Sequence, residues 1–107
     1  DVLHCPHSRH TEVRRADIEK VDDLIVVAVS NEAGVHLVSD KTQRQFFLFG
    51  HWEYDRETLA KEYFRDKEKG LPIQIPYSYF PDDDPKNKPI FNWSCSANLL
   101  YSNWLNY

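Results

Sequence analysis

The sequence has 107 residues, enough for one domain or part of one, with 41% hydrophobic and 14% aromatic residues from which to build a core. Thirteen Lys and Arg against seventeen Asp and Glu leave a net charge of −4, and no basic block marks one face, which argues against a nucleic-acid partner. No stretch reaches transmembrane length, and the two cysteines, Cys5 and Cys95, make no disulfide framework, so a reducing, cytoplasmic setting without a membrane partner is expected.

In chain order, residues 1–13 are polar and hold His4, His7 and His10, which reads as a loop. A short helix over Arg15–Val21 is expected next. Leu24-Ile25-Val26-Val27-Ala28-Val29 is a continuous apolar run, the pattern of a strand buried on both faces. Asn31-Glu32-Ala33-Gly34 signals a turn, Val35–Val38 a second strand, Asp40–Gln43 a second turn and Arg44–Phe49 a third strand. Three short strands in this order suggest a meander or the edge of a larger sheet.

Arg56–Lys69 has the strongest helical pattern, with Asp55 placed to cap its N-terminus and an apolar stripe of Leu59, Ala60, Tyr63 and Phe64. Gly70 then Pro72 give the stop signal. Residues 71–93 hold Pro72, Pro76, Pro81, Pro85 and Pro89 among Tyr77, Tyr79, Phe80 and Phe91, which predicts an ordered, aromatic-packed loop. Ser96–Tyr107 reads as a last helix with Leu99, Leu100, Trp104 and Leu105 in its stripe. The absence of methionine, the start at Asp1 and the end on Tyr107 suggest a segment of a longer protein.

The chemistry-bearing stretch is Gly50-His51-Trp52-Glu53-Tyr54-Asp55. A histidine with a carboxylate two residues on can move protons near neutral pH, the carboxylate fixing its tautomer. Its place after a strand and before a helix is where α/β folds put active sites. A surface histidine beside a capping carboxylate is the plainer alternative. His4, Cys5, His7 and His10 have metal-ligand chemistry but no second pair at finger-like spacing, so no metal is assigned. Arg65 could pair with a helix neighbour such as Glu62 or hold a carboxylate in bidentate fashion. Ser8-Arg9 could bind an anion or cap a turn. Neither cysteine has the small-residue surroundings of a nucleophile on a tight turn, although Cys95 stands near a helix N-terminus.

Together, "PHSRHTEV" (6–13), "NEAGVHLV" (31–38), "GHWEYDRETLAKEYFRD" (50–66), "YSYFPDDDP" (77–85) and "ANLLYSNWLNY" (97–107) resemble the C-terminal part of homoserine O-acyltransferases of the homoserine O-succinyltransferase type. The resemblance covers nearly the whole chain. It implies an α/β fold, part of a class I glutamine amidotransferase-like, flavodoxin-type architecture with a mixed sheet and flanking helices. Residues 1–107 would then be the C-terminal portion of one catalytic domain whose preceding part carries a nucleophilic cysteine. The implied reaction moves a succinyl or acetyl group from acyl-CoA, as co-substrate and with no resident cofactor, to the hydroxyl of homoserine in methionine biosynthesis. On the matching positions, His51 would be the general base and Glu53 its orienting carboxylate, while Ser8 and Arg65 would contact homoserine. The resemblance is compatible with a homodimer. Trp93-Ser94-Cys95-Ser96 departs from the family's usual Trp-Arg-Ser-His, and the oxyanion hole has no candidate in these residues. A non-catalytic amino-acid-binding module of the same ancestry is the alternative.

Overall fold

The computed structural model describes residues 3–107, so the first two residues of the expected N-terminal loop lie outside the described residues. The chain divides into two compact units. One is His7–His51, and the other is Trp52–Tyr107 together with the N-terminal residues as far as Pro6.

In the 7–51 unit, α1 (Arg15–Glu19) leads into β1 (Leu24–Ser30), β2 (Gly34–Asp40) and β3 (Phe46–Leu48). The strands form the expected meander, antiparallel throughout in the order β1-β2-β3. The first turn works because Ser30 Oγ accepts from the backbone N–H groups of Glu32 and Ala33, both at 3.2 Å, before Gly34 takes φ +78°. At the second turn, the Asp40 carboxylate accepts from the backbone N–H groups of Arg44 at 3.0 Å and Gln45 at 2.9 Å, and from the Thr42 hydroxyl. The Thr42 bond, then those of the backbone, hold the Asp40 carboxyl below its ordinary value.

The core of this unit joins Ile18, Val35 and Val38, with Leu24, Val26 and Phe49 packed against them. The expectation for β1 was burial on both faces, and the structure corrects it. Burial alternates along the strand, and Ile25, Val27 and Val29 are exposed at 42%, 55% and 48%. The physical reason is that α1, the unit's single helix, covers one face of β1 only. The strand pairing also slips by one residue at Ala28, which faces Leu37.

In the other unit, α2 (Thr58–Glu68) and α3 (Ser94–Leu105) flank a long connection with one 3-10 turn at Pro81–Asp83. Leu59, Ala60 and Tyr63 of α2 are buried, as the stripe predicts, but its fourth member, Phe64, is 40% exposed. Asp55 does not cap α2. The helix starts later, at Thr58, whose hydroxyl accepts from the Asp55 N–H at 3.1 Å and so closes a turn ahead of it. The C-terminal stop is as expected. Gly70 takes φ +73°, its N–H donates to Lys67 O at 3.0 Å, and that of Leu71 donates to Asp66 O at 3.1 Å, a complete Schellman motif.

The proline-rich connection is ordered by its aromatic residues. Tyr79, Phe80 and Trp93 join Leu59, Ala60 and Tyr63 in one buried cluster, each large ring contributing on the order of 2–3 kcal/mol by area burial. Trp93 Nε1 donates to Tyr54 O at 2.9 Å, and Arg56 both donates to Pro89 O at 3.2 Å and lies over the Phe91 ring. The predicted stripe on α3 is corrected in three of its four members: Leu99, Trp104 and Leu105 are 60%, 57% and 76% exposed, Leu100 is half-buried, and Ala97 is the buried residue. The helix is anchored through Trp93 and, in its first turn, Ala97. Among the described residues, no helix is long and apolar enough to cross a membrane.

Candidate functional site

The four expected site residues fall in pairs, Ser8 and His51 in the sheet-bearing unit and Glu53 and Arg65 in the helical one. His51 stands three residues beyond β3 and is half-buried. The route to it is fixed by backbone pairing, because the Phe49 N–H donates to His36 O at 2.9 Å and extends the β2–β3 ladder by one step. His36 is thereby drawn to the same end of the sheet. Its ring meets that of His7 with centroids 5.2 Å apart and planes tilted by 56°. His7 directly precedes Ser8, so the loop carrying the proposed homoserine contact is packed onto β2.

This cluster is partly dry and has the Arg9 guanidinium nearby. Burial, then the charges of His36, Arg9 and His51, push His7 down to about 4. Burial and then Arg9 lower His36 as well. His51 is thus close enough for its charge to be felt at His7, which brings the loop at Ser8 and the expected base into one neighbourhood. The Arg9 guanidinium is anchored at the β1–β2 turn, where it donates to Ala33 O. The sequence placed His7 with His4 and His10 in a loop; the structure pairs it with His36, a residue whose alternating place on β2 carried no functional signal.

On the helical unit, Glu53 is exposed and lies near Tyr101 of α3. Burial first, then the charge of Glu53 and of Cys5, raises the Tyr101 phenol above its ordinary value, keeping it a neutral donor. Tyr54, next to Glu53, donates to Glu62 Oε1 at 2.7 Å. Arg65 pairs with its own neighbour, Arg65 Nε lying 2.8 Å from Asp66 Oδ1, and the charge of Glu62 also acts on it. That bond, then the Asp66 charge, raises the guanidinium further above its already high value. The carboxylate-rich setting fixes the side chain by its Nε edge. Cys5 is half-buried and Cys95 exposed, both as thiols.

A family model described as homoserine O-succinyltransferase matches residues 1–107. Among curated relatives, "Homoserine O-acetyltransferase" of Geobacillus kaustophilus is 58% identical over 107 residues, which is 100% of this chain and 35% of the relative. The proteins of the same name from Acetivibrio thermocellus and Methanomethylophilus alvi are 56% and 53% identical over the same shares. The chain therefore spans about a third of the length of the relatives it matches, 35% in each case.

Proposed function

The chain belongs to the homoserine O-succinyltransferase family, and from that premise we propose that it is the base-bearing, homoserine-binding part of a homoserine O-acyltransferase acting in the cytoplasm. The observation that carries this reading is the family match across every residue, with His51, Glu53, Ser8 and Arg65 all standing in the matched blocks. Within it, the three-stranded antiparallel sheet and its helices are part of a glutamine amidotransferase-like, flavodoxin-type domain. Relatives at 50–58% identity named for acetyl transfer favour acetyl-CoA over succinyl-CoA as donor.

The chemistry asks for one base used twice. His51 takes the proton of a cysteine thiol from the family's preceding segment, and the thiolate attacks the acyl-CoA carbonyl. The coenzyme A thiolate leaves with the proton that His51 returns. His51 then takes the hydroxyl proton of homoserine, the oxygen attacks the acyl-cysteine, and the enzyme thiol is regenerated with that proton. Glu53 holds the imidazole in the tautomer that leaves one nitrogen basic. Arg65 receives the α-carboxylate of homoserine through its Nη edge, with Nε held by Asp66, and the Ser8 hydroxyl bonds a polar group of the same substrate.

The test is acyl transfer to homoserine by the family-length polypeptide, with acetyl-CoA and succinyl-CoA compared. His51→Ala should lose on the order of 10³-fold in kcat, and Glu53→Gln about tenfold or more. Unchanged turnover in the His51 variant overturns the assignment, and faster turnover with succinyl-CoA overturns the donor.

A further inference from the structure

We propose that His7 and His36 form a binding site for a single divalent transition-metal ion of the Zn²⁺, Co²⁺ or Ni²⁺ class, with water completing its shell. Two observations carry this. Two imidazoles on one tetrahedral ion, each with a metal–nitrogen bond of about 2.1 Å, have ring centres about 5 Å apart. The His7 and His36 centroids stand at 5.2 Å, and their ligand atoms lie within 4.8 Å of one another.

The second observation is that His7 Nδ1 is buried and has no hydrogen-bond partner among the described residues. A buried imidazole nitrogen without a partner calls for an explanation, and a metal ion supplies one.

The backbone makes the pair rigid enough to matter. His36 sits within the β2–β3 ladder through Phe49, and the loop leading from His7 is held to the β1–β2 turn by Arg9 on Ala33 O. The two ligands are not among the residues assigned to acyl transfer, although His7 adjoins Ser8 and lies near His51, and binding of the ion stands whether or not that reading does.

The experiment is calorimetric titration of the metal-stripped, family-length protein with Zn²⁺, alongside the visible absorption of a Co²⁺ titration. One ion per chain is expected. His7→Ala and His36→Ala should each weaken it by about tenfold or more, while His4→Ala and His10→Ala leave it unchanged. Should the alanine variants not fold, histidine acylation of the wild-type protein decides: Zn²⁺ must protect His7 and His36 selectively. Absence of saturable binding, equal binding in folded His7 and His36 variants, or failure to protect these two histidines overturns the proposal.

Discussion

The Tyr79 hydroxyl donates to Arg56 O and accepts from the backbone N–H of Ala60 at 3.1 Å, so one phenol serves both the entry and the first turn of α2. The helix has no side-chain cap of its own, and this bond satisfies one of its otherwise unpaired first-turn N–H groups from 19 residues away. Tyr79→Phe keeps the ring in the core and removes only the bridge. It should cost about 1–3 kcal/mol in urea unfolding, the loss expected when a buried N–H is orphaned. An unchanged midpoint would show that the bridge carries no stability.

Gly70 tests the other end of the same helix. An added Cβ there meets nothing within 4 Å, so Gly70→Ala probes backbone conformation alone. With φ at +73° the substitution should cost about 1–2 kcal/mol. Thermal unfolding should show a lower midpoint, and Gly70→Asn should recover part of it, since asparagine tolerates the left-handed region better than alanine.

The histidine pair predicts acid sensitivity with a definite sign. His7 falls from 6.5 to about 4 in the folded protein, so between those values the unfolded chain binds more protons. Stability therefore rises with pH across that window and is lost as the pH falls from 6.5 towards 4, with His36 adding in the same direction. After solvent screening of a half-buried ring, His7 accounts for about 1–2 kcal/mol of this loss. Urea unfolding at neutral and mildly acidic pH measures it, and His7→Gln should flatten the difference.

Arg65 bears on substrate binding. If its Nη edge receives the substrate carboxylate, Arg65→Lys should raise KM for homoserine on the order of tenfold and leave kcat nearly unchanged, because an ammonium cannot reproduce the bidentate fork. Asp66→Asn should act more weakly and in the same direction, by loosening the Nε anchor. Initial-rate kinetics on the family-length enzyme separate the two, and an unaltered KM in the lysine variant removes Arg65 from the binding site.

Local features were legible because neighbouring residues carry their whole cause. Gly70 stops α2, the two turns sit where their Ser, Asp and Gly residues require, and the aromatic residues of 71–93 announce an ordered connection. What depends on distant partners was not legible. An apolar run such as Leu24–Val29 looks the same whether one face or two are covered, and burial of β1 was decided by a single helix. Asp55 has the chemistry of a cap, but residues 56 and 57 form a turn and the regular helix starts only at Thr58, with no side-chain cap. For the candidate site, His51 and Glu53 were marked by their spacing, whereas the approach of His36 to His7 arises from the loop lying on β2, which no local pattern encodes.

The proline-rich connection is fastened by Tyr79 with Phe80 near its middle, by Arg56 on Pro89 O and over Phe91, and by Trp93 at its end, while the turns over 81–88 bond chiefly to one another. The turns over 81–88 can therefore change in length or composition without disturbing the aromatic cluster. That makes them the natural place in this chain to insert a label or a recognition tag, and the residues beyond Trp93 would keep their register.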